Sequence, residues 1–145
     1  MGELIFEYGG TLERFSGDGL MVFFNDPIPC DDPSKKAVQM AVSMRNTAAG
    51  LNTKWKKKGF NLGFGIGIDK GYATLGKIGF EGRFDYAAIG TVTNTASRLC
   101  DKAGPDQILI SQKVFMEVED MVSVEMVGEL SLKGLHRSTI AYNVL

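Results

Sequence analysis

The sequence offers few side chains for acid–base or nucleophilic chemistry. His136 is the only histidine, so catalysis would have to use carboxylates, arginine, lysine or a metal ion held by oxygen atoms. Asp18 is the first candidate, because it lies in a Gly-Asp-Gly turn and would stand at the tip of a hairpin. Asn94 and Arg98 are the second, because a spacing of four places both side chains on one face of a helix. Each set alone also fits an ordinary turn or a solvated helix face.

A glycine-rich segment, GFGIGIDKG at 63–71, is a candidate for a phosphate-binding loop. A dinucleotide site would need a third glycine in G-x-G-x-x-G and a helix directly after it. Here Gly65 and Gly67 are followed by Lys70, and the pattern of the next residues predicts another strand. No Walker loop is present in the sequence either. We therefore predict no nucleotide site of the Rossmann or P-loop kind.

Composition excludes several classes of function. The 145 residues fit one domain of ordinary size, and 16 Lys plus Arg against 17 Asp plus Glu give a formal charge of -1, which predicts no nucleic-acid partner. The longest apolar run covers only 20–24 and no signal segment opens the chain, so we expect no membrane contact and a cytoplasmic protein. Cys30 and Cys100 are too few and too far apart for a disulfide framework or a zinc site.

Hydrophobic periodicity predicts the elements that position the candidates. Two β-prone segments joined by the Gly/Asp turn predict a hairpin, and Asp32 followed by Pro33 predicts the capped start of a long helix that ends near Gly59. Alternation of apolar residues with glycine at 60–69 predicts a strand with one bare face. Such a face suggests that a helix, a ligand or another backbone approaches it closely.

The rest of the chain continues this mixture of short elements. Further strands are predicted at 72–78, 85–89, 107–110, 122–132 and 139–144, and helices at 92–102 and 111–120. Several hairpins mixed with helices are typical of an α+β fold, in which helices pack on an antiparallel-rich sheet.

Four stretches of the chain together resemble the class III nucleotide cyclases, the adenylate and guanylate cyclase catalytic domain. The stretches are GGTLERFSGDGLMVFF, FGIGIDKGYATLGKIG, FDYAAIGTVTNTASRL and GELSLKGL, in the family's order from Gly9 to Leu135. The resemblance implies the ferredoxin-like cyclase fold and the conversion of ATP to cyclic AMP and pyrophosphate. It also implies Mg²⁺ or Mn²⁺ as cofactor, with two ions in the complete domain, and a homodimer whose active sites combine residues of both subunits.

The resemblance also implies roles for individual residues. Asp18 matches one of two aspartates that hold the metal ions. Asn94 matches the residue that orients the ribose, and Arg98 matches the residue that stabilises the transition state. Lys133 in the terminal L-K-G matches a position that binds the triphosphate. In the family, the metal ligands and the Asn/Arg pair of one site come from opposite subunits.

Two departures from the family's pattern change these expectations. The chain begins almost at Gly9-Gly10, so we expect the family's first strand, with the other metal-binding aspartate, and most of its first helix to be missing. Residues 1–145 are then a partial catalytic domain, and we expect this chain alone to be inactive. The substrate-binding positions that read the base align with Gly63 and Ala87, and neither side chain can hydrogen-bond a purine edge.

Several functions remain open on this basis. The first is an adenylate cyclase, with a guanylate cyclase or a cyclase of low selectivity as its variant. The second is a cyclase-like regulatory or dimerisation domain without turnover. The third is an unrelated α+β binding module, in which Asp18, Asn94 and Arg98 are ordinary surface residues.

Overall fold

The computed structural model describes residues 1–131 and 138–145, and the predicted α+β fold class is confirmed. The helices are α1 (Gly2–Glu7), α2 (Pro33–Lys56), α3 (Thr91–Lys102) and α4 (Gln112–Val118). The strands are β1 (Thr11–Ser16), β2 (Gly19–Phe23), β3 (Ile66–Ile68), β4 (Thr74–Phe80), β5 (Arg83–Ile89), β6 (Ile108–Ser111), β7 (Val124–Leu130) and β8 (Thr139–Val144). Within those ranges no helix has both the length and the apolar character that crossing a bilayer requires.

The central sheet has the strand order β3-β6-β8-β7 and carries the core. β3 runs parallel to β6, and the other neighbours are antiparallel. Ile108 and Ile110 of β6 face Val38 of α2 and Val114 of α4, and all four side chains are fully buried. Leu109 points to the opposite face, where it packs with Leu99 and Ala141. The sheet is thus covered on both faces, which explains why β6 is apolar at three successive positions.

Two hairpins, β1–β2 and β4–β5, form separate two-stranded sheets beside this core. The first hairpin packs through Leu20 and Val22 against Ile5 of α1 and the methionines of α2. The second hairpin turns at Glu81–Gly82, between the segments 72–78 and 85–89 that were predicted as strands. Asp18 and Ala87 therefore lie on the hairpins, outside the buried frame. Asn94 and Arg98 lie on the exposed side of α3.

Two of the local predictions are wrong. Asp32 precedes α2 in the left-handed conformation, with φ 50° and ψ 55°, and its side chain makes no capping hydrogen bond. The predicted strand at 60–69 is reduced to β3. The side-chain amide of Asn52 donates to the carbonyl of Leu62 at 2.8 Å and accepts from its N–H at 3.3 Å. A side chain of α2 thus satisfies backbone groups that would bond to a neighbouring strand if this segment were part of a sheet.

The bare face of β3 packs directly on α3, which is one of the three close approaches that the glycine pattern left open. A Cβ atom on Gly67 would lie 2.2 Å from the backbone nitrogen of Cys100 and 2.3 Å from the backbone oxygen of Ala96. Backbone atoms of a helix cannot yield as a side chain can, so any larger residue must displace α3 from the sheet.

We therefore expect Gly67→Ala to lower the free energy of unfolding by about 1 to 3 kcal/mol, the usual magnitude for overpacking. Urea denaturation followed by circular dichroism measures it. Gly50→Ala is the matched control, because an added Cβ at Gly50 in α2 has no atom within 4 Å apart from the nearby backbone of its own helix. There the change should stabilise by ~0.5 to 1 kcal/mol. Equal midpoints for the two variants would contradict the close packing of α3 on β3.

Candidate active site

Asp18 lies in the two-residue loop of the first hairpin. Ser16 and Gly19 form the last pair of the ladder, so Gly17 and Asp18 make the turn. Gly17 has a φ of 62°, which suits the glycine position of a tight hairpin turn. Asp18 is exposed at the tip, where the sequence predicted it. Its carboxylate is therefore accessible to a cation or to a second molecule.

Helix α3 presents the second pair of candidates on its exposed face. Asn94 and Arg98 are exposed, whereas Thr95 and Leu99 are buried against the sheet. Nη1 of Arg98 donates to Oδ2 of Asp101 at 2.9 Å, and both side chains are about half exposed. A guanidinium has five N–H donors, so Arg98 keeps donors for a ligand while it is paired with Asp101.

A cleft of about 540 Å³ lies between β1, β5 and the start of α3. Glu13 and Arg14 line it from β1, Asp85 and Ala87 from β5, and Asn94 from α3. The structure thus brings together Ala87, an expected base-reading position, and Asn94, the expected ribose-orienting residue. The cleft also supplies three charged side chains that the resemblance did not assign.

Glu13 is the most buried of these charged side chains, with only 3% of its surface exposed. Oε1 accepts a hydrogen bond from the backbone N–H of Ala88 at 3.4 Å, and Nη1 of Arg14 lies 3.8 Å from the same oxygen. Burial alternates along the first half of β1, so Thr11 and Glu13 are on its inward side. The sequence offered no signal for Glu13, because Leu12 is the apolar residue of this half of β1 and a hydrophobic alternation would place Glu13 outward.

A second carboxylate joins the first hairpin to β5. The hydroxyl of Tyr86 donates to the carboxylate of Asp26, just after β2, and the rings of Phe23 and Tyr86 lie 6.0 Å apart. This hydrogen bond, followed by desolvation and the charge of Asp26, raises the pKa of Tyr86. The strand that lines the cleft is therefore attached to the first hairpin at two places.

The hairpin tip lies near the second half of α3 in its own chain. Burial raises the pKa of the Cys100 thiol, the charges of Asp101 and Asp18 raise it further, and a backbone hydrogen bond from Gly67 lowers it. Asp18 is thus close enough to α3 to act on Cys100, yet it does not line the cleft that contains Asn94.

Asp18 fits a divalent cation as one ligand among several. Across the described residues, no three His, Cys, Asp or Glu side chains come together as a metal cage. Mg²⁺ in phosphate chemistry is usually held by one or two carboxylates, with substrate phosphates and waters as the other ligands. An exposed carboxylate at a hairpin tip satisfies this requirement, so Asp18 fits Mg²⁺ or Mn²⁺ that binds together with a nucleotide.

Gly63, another residue expected in the substrate site, does not line the cleft described above. Gly63 is exposed beside Pro105, whose Cγ would lie 3.3 Å from a Cβ on the glycine. Lys133, the expected triphosphate ligand, lies outside the described residues.

Residues 8–145 match the family model of the adenylate and guanylate cyclase catalytic domain. Among characterised relatives, the chain is 28% identical to adenylate cyclase 1 of Rhizobium meliloti (strain 1021) and 29% identical to an adenylate cyclase of Anabaena cylindrica. Each alignment covers 99% of this chain but only 22% and 30% of the two relatives. The chain therefore spans less than a third of the length of either relative.

Solved cyclase structures share the fold closely. The adenylyl cyclase CyaB from P. aeruginosa superposes with a TM-score of 0.92 at 33% identity, over 99% of this chain and 76% of that one. The guanylyl cyclase Cya2 superposes with a TM-score of 0.91 at 30% identity, over 99% of this chain and 73% of that one. Structures described as adenylyl and as guanylyl cyclases are thus about equally similar to this fold.

Proposed function

The chain belongs to the adenylate and guanylate cyclase catalytic domain family, and from this premise we propose that it contributes to an adenylate cyclase. The reaction converts ATP to cyclic AMP and pyrophosphate. The observation that carries the proposal is the cleft that joins Ala87 of β5 to Asn94 of α3. When a nucleotide binds there, its base contacts β5 and its ribose contacts the amide of Asn94.

The proposed chemistry is an intramolecular displacement at the α-phosphate. The ribose 3′-hydroxyl releases its proton to water and its oxygen forms a bond to the α-phosphorus. The bond from that phosphorus to the bridging oxygen breaks, and pyrophosphate leaves. Asn94 holds the ribose so that the 3′-oxygen is in line with the leaving group. Arg98 donates N–H bonds to the phosphoryl oxygens as negative charge develops on them. Lys133 binds the terminal phosphates.

Asp18 supplies the carboxylate for a divalent ion in this proposal. The family generally uses divalent metal ions, and Asp18 is an exposed oxygen ligand of the kind that Mg²⁺ and Mn²⁺ prefer. Bound there with the triphosphate, such an ion lowers the pKa of the 3′-hydroxyl and neutralises phosphate charge.

We also propose that two copies of the chain form a homodimer that completes the site. Large apolar side chains are exposed on the two hairpins, and patches of this kind commonly mark interaction surfaces. They include Phe15 at 73%, Phe80 at 71%, Phe84 at 47% and Ile89 at 57% exposure. Asp18 does not line the cleft of its own chain, so a partner's hairpin is the natural source of the metal ligand for Asn94 and Arg98.

The cytoplasm is the proposed location, because ATP is available there and the two cysteines, Cys30 and Cys100, are both free thiols. The assignment of residues 1–145 to a single, partial catalytic domain remains a prediction.

Base selectivity gives the experiment that tests the proposed function. Ala87 offers no polar group to a purine edge, and a site without such groups discriminates mainly by shape. We expect the full-length protein to turn over ATP with only a modest preference over GTP. Steady-state kcat/KM for both nucleotides, with Mg²⁺ and with Mn²⁺, measures this.

Each outcome of that experiment has a distinct meaning. An ATP preference above about a thousandfold, or ~4 kcal/mol of discrimination, would contradict the modest selectivity and require a base-reading group, for which Asp85 in the cleft is the first candidate. A GTP preference supports the guanylate cyclase alternative. Turnover of neither nucleotide contradicts the cyclase proposal and favours a regulatory or dimerising role.

A further inference from the structure

Glu13 has no role in the chemistry proposed above, yet it lies in the wall of the cleft with its carboxylate almost completely buried. We propose that Glu13 is a positioning residue: it holds β5 through the N–H of Ala88 and thereby fixes both the wall that faces the base and the start of α3. The expected effect on turnover rests on the proposed cyclase function. The claim that Glu13 holds β5 does not depend on that function.

The first argument is the hydrogen bonding of β5. Among the described strands, β5 pairs with β4 alone, so one edge of it has no strand neighbour. An inward N–H on such an edge needs another acceptor, because an unpaired backbone donor away from water is costly. The Glu13 carboxylate accepts the N–H of Ala88 and so takes the place of a neighbouring strand at the point where β5 lines the cleft.

The second argument is the short path from Ala88 to Asn94. Gly90 directly precedes α3, and a Cβ there would lie 2.9 Å from the backbone oxygen of Tyr72 and 3.1 Å from Cα of Ala73. The hydroxyl of Thr93 donates to the carbonyl of Gly90 at 2.7 Å. The end of β5 is therefore tightly packed and bonded to the first turn of α3, so that a displacement at Ala88 moves Asn94.

The third argument is the cost of burying this charge. In the described part of the chain, Arg14 is the one cation within 4 Å of this carboxylate, at 3.8 Å. Its side chain is 65% exposed, so it compensates the carboxylate only weakly. A buried carboxylate with a weak ion pair contributes little net stability by itself. Its geometric effect on the cleft is the better explanation of its position.

The test uses three variants of the full-length protein. Glu13→Met keeps the length of the side chain but removes the acceptor, and Glu13→Asp shortens the carboxylate so that it no longer reaches Ala88. Glu13→Gln keeps an oxygen in place. Glu7→Ala is the control, because it removes an exposed carboxylate from α1. Thermal unfolding verifies that each variant is folded. The Met and Asp variants remove the hydrogen bond to Ala88 in two different ways, so each checks the other.

Amide hydrogen exchange over 83–94 and kcat/KM for ATP are the two readouts. We expect Glu13→Met and Glu13→Asp to speed exchange in this segment and to lower kcat/KM about tenfold, the effect of losing one hydrogen bond to a charged group. Glu13→Gln should restore both readouts to near wild-type values, and Glu7→Ala should change neither.

Unchanged exchange over 83–94 in the Met and Asp variants overturns the proposal, and so does altered exchange without any change in kcat/KM. If the wild-type protein turns over no nucleotide, the cyclase function fails and the Kd of ATP replaces kcat/KM as the second readout. In that case, faster exchange together with weaker ATP binding supports the positioning role, and unchanged ATP binding overturns it.

Discussion

Asp18→Ala is expected to abolish divalent-metal-dependent formation of cyclic nucleotide by the full-length protein. The two-residue turn exposes this carboxylate at the hairpin tip. An alanine there leaves the cation without its anionic ligand from the hairpin, and waters alone do not fix an ion against the phosphates. The initial rate, measured over a range of Mg²⁺ and Mn²⁺ concentrations, should stay at background at every concentration.

Two further variants make this result specific. Asp18→Asn keeps the size of the side chain but removes its charge, so it should lose nearly as much activity. Glu119→Ala removes another exposed carboxylate, at the end of α4, and should have wild-type rates. Metal-dependent rates close to wild type in both Asp18 variants would remove this residue from the mechanism.

Arg98→Ala should lower kcat about a hundredfold with a much smaller effect on KM. The guanidinium is needed most when negative charge builds up on the phosphoryl oxygens, and the loss of one such donor typically costs ~3 kcal/mol. In the present structure Nη1 of Arg98 is bound to Asp101. Because that pair is about half exposed, releasing it for a ligand costs at most about 1 kcal/mol. Steady-state kinetics separates the two parameters.

The matched controls for this prediction also lie on α3. Arg98→Lys keeps the charge without the planar fork and should recover only part of kcat. Lys102→Ala removes an exposed cation from the last turn of the same helix and should leave both constants unchanged. An Arg98→Ala enzyme with a raised KM and a normal kcat would make Arg98 a residue of ground-state binding instead.

The sequence predicts those parts of the fold that depend on local periodicity. The hairpin around Asp18 and the long helix from Pro33 follow from patterns within a single segment. The strand predicted at 60–69 is mostly absent, because Asn52 binds Leu62 from another element. No local pattern contains that contact.

The candidate site shows the same division between local and distant information. Helical spacing predicts that Asn94 and Arg98 share a face, and the structure has both exposed on α3. The contact of Glu13 with Ala88 joins two strands that are far apart in the sequence, so it can be seen only in the folded structure. Gly63 and Ala87 were identified by alignment with a family. Of the two, only Ala87 lines the cleft, so the lack of a polar side chain matters there.

The parallel pairing of β3 with β6 has a consequence for the order in which the protein folds. Both hairpins connect neighbouring segments, so they close small loops and can form within microseconds. Ile66 instead pairs with Ile108 across the second hairpin and α3, which is a long loop to close. Contacts of this kind slow the folding of a whole domain. The hairpin that carries Asp18 can therefore exist early, but α3 reaches its place only in the late step that joins β3 to β6.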